Sequence, residues 1–453
     1  MSTDERRCFS YFRAHTVPAM VGWFDSEIWQ RLVLQMAQAD PAVCHAVAAL
    51  SALHEASSRG QGAWDPRRHQ QFALEQYGKS ISLLSKRLRS NDPCLRQVVL
   101  VCCLAFIFIE YLQGRYDHAF THLANALHIL TNHRGAVARS SLLTKVLCDS
   151  SSDHRSTDES ALLKVFTHVD VQSAHFGAKT SLPDLSLAIA SLTDVVHQGV
   201  VFTSIVDAKQ KLDSVFNNIL RFRTTCAPLL HDPTTDLLHL AVETEKMRSQ
   251  LQAHIAAFDE LLARYPNPTP KEARSIDIIR LHHLVGTVDL DTVLDPLETV
   301  YDSCLPRVRK FVDISERVIA SLKAEYKDRP LPELMMDLGV IAPLGWVSLR
   351  CRDRETRQRA LDLLQAWPHR EGSYDSRFFV LVASQIMAIE NEGADPNGYI
   401  PEQSRIRFWS LDMAPDRRSA VLNYQLSDLQ GETQVCQREL NLVKSAKLQT
   451  SNI

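Results

Sequence analysis

The sequence has 453 residues, of which 45% are hydrophobic, so the chain is long enough to bury a substantial core. Its 50 basic and 53 acidic residues leave a formal net charge of −3, which excludes the bulk positive field of a basic nucleic-acid-binding domain and leaves only a local basic face open. A total of 15 glycines is low for a β-rich protein or for one built on glycine-rich loops.

The N-terminus and the cysteines indicate a reducing compartment. The opening residues MSTDERR contain no apolar stretch of the kind found in a secretory signal. No two of the ten cysteines have the C-x-x-C spacing that is typical of structural zinc sites. We therefore expect reduced thiols, in the cytosol or the nucleus, and no bound metal.

The first helices are predicted from their start signals. Asp40-Pro41 and Asp92-Pro93 each combine a side-chain acceptor with the fixed φ that suits a first helical residue. After the second signal, residues 98–109 form 12 consecutive apolar positions, fewer than the roughly 20 that span a bilayer. We expect a helix enclosed by protein on all sides and no membrane anchor.

Adjacent cysteines lie in the middle of this run. Cys102 and Cys103 would point about 100° apart on a helix and could not both ligate one ion comfortably. They are interpreted as buried small hydrophobes.

A second helix is predicted to fold back on the first. Apolar residues recur at three- and four-residue steps from Tyr116 to Leu130, and Gly114 can end the preceding helix. The two helices should pack as an antiparallel hairpin. His118 and His122 lie four apart on this helix, but a metal would need further ligands, so they are interpreted as surface histidines on its polar side.

Enzyme signatures with fixed spacing are missing from the sequence. It contains no phosphate-binding loop, no dinucleotide-binding glycine turn and no nucleophile elbow. His54-Glu55 begins like a zinc-protease helix, but Ser58 stands where the second histidine is required. We therefore expect no enzyme and assign no catalytic, cofactor-binding, metal-binding or DNA-binding residue.

The middle of the chain is predicted to be helical. Core stripes run through residues 205–219 and 247–262, and Thr269 with Glu272 forms a capping box around Pro270. The YPNPTP segment, 265–270, is interpreted as an exposed loop.

Three carboxylates, Asp289, Asp291 and Asp295, resemble the acids that hold Mg²⁺ in helical isoprenoid synthases. Their spacing does not match an aspartate-rich DDxxD motif. Asp291 and Asp295 are interpreted as solvated loop or helix-start residues.

Two later segments allow more than one interpretation. The DLGVIAPLGW stretch, 337–346, is predicted to be a core helix kinked at Pro343, although it could instead line a cavity that binds an effector. The HREG stretch, 369–372, offers an imidazole, a guanidinium and a carboxylate. It is interpreted as a structural tie in which Arg370 pairs with Glu371 and Gly372 permits the turn.

The C-terminal part continues the helical pattern and then changes. Asp353 can cap one helix, and another is predicted from Ser376 to Glu392, ended by Gly393. RIRFWSL and SAVLNYQL flank MAPDRR and suggest a small terminal β-hairpin.

The predicted fold class is all-α, a multi-helix bundle of two packed helical subdomains. The N-terminal part is expected at 1–139, a Ser-rich loop at 140–160 and the C-terminal part at 161–426. Residues 427–453 are polar with weak helical spacing and are expected to form a frayed tail.

An ordered set of segments over roughly residues 5–412 resembles the regulatory region of fungal zinc-cluster transcription factors. The segments that carry the resemblance are ERRCFSYFRAHTVPAMVGWFDSEIWQRLVLQ, PAVCHAVAALSALHE, FALEQYGKSISLL, FIEYLQGRYDHAFTHLANALHIL, LLKVFTHVDVQSAHFG, LPELMMDLGVIAPLGWVSLRCRDRETRQRALDLL, HREGSYDSRFFVLVASQIMAIENEG and IPEQSRIRF. In that family a module of six cysteines and two zinc ions precedes the helical region and reads DNA. Here the similar region begins within ten residues of Met1, so we expect the chain to lack that module.

The resemblance implies a transcription-regulator-like protein of a fungus, located in the nucleus and attached to metabolic or secondary-metabolite genes. Such a protein would act through a protein partner, either a DNA-binding factor or the transcription machinery, or through a small-molecule effector. Two alternatives remain open: a shortened product whose true start lies upstream and supplies the zinc cluster, and a helical enzyme or ligand-binding protein on the same scaffold.

Overall fold

The computed structural model describes residues 2–58, 66–87, 92, 94–132, 154–175, 201–230, 234–327, 329–413, 419–427 and 433–441. Helices dominate these ranges, which confirms the predicted all-α class. The helices are α1 Thr3–Tyr11, α2 Val17–Met20, α3 Val33–Ala39, α4 Pro41–Ser58, α5 Pro66–Arg87, α6 Leu95–Leu112, α7 Tyr116–Asn132, α8 His154–His175, α9 Ile205–Leu229, α10 Leu237–Ala263, α11 Pro270–Thr292, α12 Leu305–Tyr326, α13 Ile341–Arg350, α14 Arg354–Ala366 and α15 Ser376–Glu392.

Side-chain caps set several of these helix starts. The carboxylate of Asp40 accepts the N–H of Ala42 at the start of α4, and Asp353 caps α14 through the N–H of Thr356. Thr269 and Glu272 form the predicted capping box at the start of α11. These contacts satisfy amide groups that have no partner within the first turn of a helix.

Two small three-stranded sheets complete the fold. In the first, β1 Leu334–Met335 pairs in parallel with β2 Arg370–Glu371, which pairs antiparallel with β3 Tyr374–Asp375. In the second, β4 Trp409–Met413, β5 Ser419–Ser427 and β6 Thr433–Asn441 form an antiparallel meander. The strands β4 and β5 are the predicted terminal hairpin.

Part of the predicted tail is a strand. Residues 433–441 form β6, where the sequence suggested a frayed segment. Leu440 is buried while Val435 is exposed, and the strand is otherwise polar, so the sequence carries no clear alternation. Backbone pairing with β5 orders this segment.

The predicted loop at 140–160 is only partly described. Residues 140–153 lie outside the described residues, and residues 154–160 belong to α8. The acidic residues of this stretch make ion pairs with earlier elements: Asp158 with Arg31 at 2.5 Å and Glu159 with Arg96 at 2.7 Å.

Two large hydrophobic clusters form the core, and each includes residues from the other end of the chain. The first cluster spans α1 to α8 but also contains Leu334 and Met336. The second spans α9 to α15 but also contains Trp23 and Phe24. A third, smaller cluster lies between α15 and the C-terminal sheet. The two helical parts are therefore interlocked.

Helix α6 lies inside the first cluster. By length and composition alone it is the one helix in the described ranges that could cross a membrane, with a mean hydropathy of 2.0, yet 72% of it is buried inside the protein. Cys102 and Cys103 are buried and unpaired with other cysteines, as predicted. The helix begins at Leu95, two residues after the predicted start, and Asp92 accepts the N–H of Cys94.

Candidate functional site

A cavity of about 1380 Å³ opens where the turn between α6 and α7 faces the C-terminal helices. It is larger than the roughly 300–1,000 Å³ of a typical small-molecule pocket. Its wall is built by α9, α11, α13, α15, the 3₁₀ turn Glu298–Cys304 and the start of β4. Both helical parts of the chain therefore contribute to one concave surface.

Helix α13 forms one side of the cavity, and a buried carboxylate fixes its N-terminus. Glu371 is fully buried and accepts the amide N–H groups of Gly339, Val340 and Ile341 at 2.9–3.0 Å. It also accepts the indole N–H of Trp23 at 3.2 Å. A negative charge at this position complements the positive end of the helix dipole.

Burial alone would raise the pKa of Glu371, but its partners lower it below the usual value. The hydrogen bond from His369, at 3.2 Å, and those from the amide groups of Val340 and Ile341 favour the ionised form. The HREG stretch is thus a structural tie, as interpreted, but with different partners. Arg370 pairs with Asp375 at 2.6 Å and not with Glu371, because adjacent strand residues point to opposite faces. Gly372 has φ +56°, which provides the predicted turn.

The 337–346 segment contributes both to the core and to the wall of the cavity. It supplies core residues to the second cluster, and Leu338, Ala342, Pro343 and Trp346 line the cavity. Pro343 lies in the first turn of α13, where its missing N–H costs no hydrogen bond, so the predicted mid-helix kink does not arise.

Two ion pairs in the cavity wall expose their cation and bury their anion. Arg223 on α9 donates to Asp289 on α11 at 2.8 Å, and the side chains are 35% and 2% exposed respectively. Arg350 at the end of α13 pairs with Glu298, with exposures of 27% and 8%. The accessible surface of each pair therefore belongs mainly to the arginine.

The neighbouring charges stabilise the ionised arginines. Asp289 raises the pKa of Arg223. Burial lowers the pKa of Arg350, but Glu298 outweighs it and the pKa is raised on balance. Both groups remain cations at every accessible pH.

Aromatic rings cover much of the remaining wall. Trp346 makes an edge contact with Tyr301 at 5.3 Å between ring centroids, and the guanidinium of Arg350 lies 5.6 Å from the Tyr301 ring. Tyr374 and Phe379 stack at 5.5 Å. Burial raises the pKa of Tyr301, so its hydroxyl stays protonated.

The carboxylates considered from the sequence separate in the structure. Asp289 is buried and accepts from Arg223 and from the indole N–H of Trp346 at 3.3 Å. Asp291 pairs with Arg248 and Arg307. Burial raises its pKa, but these arginines lower it on balance. Asp295 is exposed and caps a turn through the N–H of Leu297. They do not converge on a common point.

The two α7 histidines also differ from each other. His118 is largely exposed, whereas His122 is half-buried and lies 2.9 Å from the hydroxyl of Tyr77. Burial lowers the pKa of His122. Within the described ranges, no group of three or more histidine, cysteine or acidic side chains has the arrangement of a metal site.

A buried polar cluster anchors α8 and α9 to the segment before α13. The ammonium of Lys209 lies 2.8 Å from Asp213 and 2.9 Å from Asp337. His168 lies 3.0 Å from Asp213 and 3.2 Å from Asp337. Burial lowers the pKa of Lys209, but the two carboxylates raise it on balance, and Asp213 has a pKa lowered to about 2 despite its burial.

Sequence analysis did not identify the arginines of the cavity. Arg223 and Arg350 lie on amphipathic helices, where an arginine is normally solvated, and their partners are 66 and 52 residues away in the chain. The only part of the cavity that the sequence indicated was the apolar 337–346 segment, which forms one of its walls.

The known proteins that are similar to this chain include fungal regulators of transcription. Residues 7–191 match the fungal specific transcription factor domain. The chain is 22% identical, over 87% of its length and 74% of the relative's length, to the "Aspercryptin biosynthesis cluster-specific transcription regulator atnN" of Emericella nidulans. It is 29% identical over 110 residues, which are 23% of this chain and 26% of the relative, to the "Transcription regulator lscL" of Purpureocillium lilacinum. No solved structure matches the chain.

Residues 7–191 are therefore similar to a fungal-specific transcription factor domain, and the predicted resemblance to the regulatory region of fungal zinc-cluster factors is confirmed. The chain resembles fungal transcription regulators, and the relatives named above are regulators of transcription.

Proposed function

We propose that this chain controls the transcription of fungal biosynthetic genes from the nucleus, through a protein partner that reads DNA. The observation that carries the proposal is the similarity, over 87% of the chain, to a regulator named for a biosynthesis cluster. The overall charge of −3 also supports a partner, because it offers little attraction to phosphate groups. The chain would act as a regulator and not as an enzyme.

We also propose a division of labour between the two helical parts. Residues 1–139 form the N-terminal part and residues 161–426 the C-terminal part, joined through 140–160, with 427–453 as a C-terminal extension. The cavity between the α6–α7 turn and the C-terminal helices gives the parts a shared surface at which an effector could alter their contact.

A tethering experiment tests the regulatory role. The full chain is fused to a heterologous DNA-binding module, and a reporter with the matching site is measured against the module alone. We expect the fusion to raise or lower reporter expression and the core variant Phe106→Asp to remove the effect. An unchanged reporter with a folded, nuclear fusion would contradict the proposal.

A gel-shift assay tests the dependence on a partner. We expect the purified chain to bind no DNA sequence selectively at physiological salt and to join a selective complex when nuclear extract is added. Tight, selective binding by the chain alone would overturn the partner model.

A second candidate is a longer product with its own zinc cluster. The match covers 74% of the length of the Emericella relative. Transcript mapping upstream of Met1 distinguishes the two, since coding sequence with six clustered cysteines would replace the partner model.

A further inference from the structure

We propose that the cavity binds an organic anion with an aromatic or otherwise apolar body, held by Arg223 and Arg350. This inference extends the proposed function by naming the chemistry of its effector. It rests on two ion pairs whose arginines are more exposed than their carboxylates, on the aromatic rings near them and on the size of the cavity.

The two ion pairs present donors to the cavity. In each pair the carboxylate is the more buried partner, and the arginine side chain keeps a quarter to a third of its surface accessible. In the described part of the chain, Nη1 is the one nitrogen of Arg223 with a hydrogen-bond partner. The remaining N–H groups of that guanidinium can donate to a carboxylate or sulfonate, a charge-assisted contact of high strength.

Partial neutralisation by the buried acids favours this use of the arginines. A cation with no counterion would cost several kcal/mol to bury, whereas Arg223 and Arg350 are already stabilised by Asp289 and Glu298. A ligand anion then adds a second acceptor to a preorganised donor and does not have to order a flexible side chain.

The rings determine the body of the ligand. Tyr301 lies beside Arg350 and contacts Trp346, and Phe378 and Trp409 pack at 6.3 Å elsewhere on the wall. Aromatic side chains of this kind bury a flat or apolar body at small entropic cost.

The cavity has no overall positive charge, so it differs from a site that binds any anion through charge alone. Five arginines and six acidic residues line it, and Asp117, Asp295 and Asp412 are exposed carboxylates among them. A small inorganic anion would gain little from such a surface. We therefore expect the cavity to select ligands that combine an anionic group and an apolar body in one molecule.

The test uses a matched pair of fluorescent probes on the full chain. Anilinonaphthalene sulfonate carries an anion on an aromatic body, and N-phenylnaphthylamine carries almost the same body without the charge. We expect the anionic probe to bind saturably, one molecule per chain, about tenfold more tightly than the neutral probe, because its anionic group accepts a charged hydrogen bond that the neutral probe cannot accept. Equal affinities, or no saturable binding, would overturn the proposal.

A charge-neutral double variant locates the site. Arg223→Gln with Asp289→Asn removes both charges together and leaves no buried ion unpaired. We expect it to lose the tenfold preference while its affinity for the neutral probe is unchanged. The matched control is Arg317→Gln on α12, which breaks the pair with Asp277 on α11 and should retain the preference. An unchanged preference in the double variant would contradict the assignment.

Displacement from the unmodified protein keeps the proposal testable if the double variant does not fold. Naphthoate should displace the anionic probe, and naphthalenemethanol, of similar size but neutral, should not at the same concentration. Displacement by both alike would contradict the proposal. Because no transcription is measured, failure here leaves the proposed regulatory role standing, and failure of the tethered reporter leaves the binding result standing.

Discussion

Lys209 shows how a single buried charge can connect three parts of the fold. Its ammonium on α9 is held by Asp213 on the same helix and by Asp337 before α13, while His168 from α8 completes the cluster. Each charge is compensated locally, so the stability of the cluster depends on every member being present.

We expect Lys209→Met to lower the free energy of unfolding by about 3–5 kcal/mol, because it leaves two buried carboxylates without a cation. Urea denaturation followed by circular dichroism measures the change. The matched control, Lys211→Met, removes an ammonium that is 43% exposed and pairs with Asp207, and should change stability by less than about 0.5 kcal/mol. Similar effects of the two variants would contradict this account.

Three histidines of the second cluster are held neutral. The Nε2–H of His254 donates to the carbonyl of Ala208 at 2.9 Å, which leaves its Nδ1 to accept from His283 Nε2–H at 2.9 Å. Burial lowers the pKa of His254 to about 4, that of His283 to about 2 and that of His282 to about 4. A proton on Nδ1 of His254 would remove the acceptor and break the hydrogen bond from His283.

These pKa values predict acid sensitivity. Below the unfolded pKa of about 6.5 the unfolded chain binds protons that the native chain does not bind, so stability is present above pH 6.5 and falls between pH 6.5 and 4. We expect a loss of about 2 kcal/mol per histidine between pH 7 and pH 5, measured by urea denaturation. The exposed variant His118→Ala should have the same slope as the unmodified protein. A pH-independent stability over this interval would show that these histidines are not neutral in the fold.

At the scale of elements, α6 is the centre of the first cluster. Phe106 on this helix is 3% exposed and contacts Tyr77 at 4.6 Å and His122 at 5.3 Å. We expect Phe106→Asp to unfold or aggregate the protein, because an unpaired buried charge costs several kcal/mol against a total of about 5–15 kcal/mol. Soluble yield and circular dichroism report the outcome. Leu74→Asp on the exposed face of α5 is the matched control and should be folded.

The close approach of the start of α13 to Glu371 depends on a glycine, Gly339, which has no side chain. A Cβ at Gly339 would lie 2.3 Å from the indole nitrogen of Trp23 and 2.8 Å from Glu371 Oε1, so those groups would have to move. We expect Gly339→Ala to lower the melting temperature by several degrees, equivalent to about 1–3 kcal/mol. Gly78→Ala on α5 has no neighbouring atom within 4 Å and should stabilise the protein by about 0.5–1 kcal/mol. A tolerated Gly339→Ala would mean that α13 is not held closely.

The sequence predicted elements better than it predicted contacts. Helix boundaries were predicted correctly where a local capping residue defines them, as at Thr269 and for the helix Ser376–Glu392. The strand β6 was missed because its pairing partner, β5, and not its own pattern, orders it. The predicted pair between Arg370 and Glu371 was wrong. The hydrogen-bond donors to Glu371 come from the start of α13, which is distant in the sequence, and Arg370 pairs with Asp375. Site residues that depend on packing between distant helices, such as Arg223, leave no local signal.

At the scale of the whole molecule, the two helical parts share core residues. Trp23 and Phe24 belong to the second cluster, while Leu334 and Met336 belong to the first. Met336 also donates its N–H to the carbonyl of Met20 at 2.9 Å and accepts from the indole of Trp29 through its sulfur. Neither part can be removed without exposing the core of the other.

We therefore expect one cooperative unfolding transition. Tryptophan fluorescence and far-ultraviolet circular dichroism should give the same denaturation midpoint, because the two clusters are interlocked. Trp23→Ala, which removes a fully buried indole from the shared region, should lower stability by about 3–5 kcal/mol. Two separated transitions in the unmodified protein would contradict this coupling.

The bond between Trp23 and Glu371 also has a consequence for synthesis on the ribosome. These partners are 348 residues apart, so the indole emerges from the ribosome long before its acceptor exists. A chain translated at about 5–20 residues per second exposes this N-terminal segment for roughly 20–70 seconds. During that interval Trp23 and Phe24 are apolar groups without their native surroundings, and the nascent protein depends on chaperones or on other transient cover until the last third of the chain has been made.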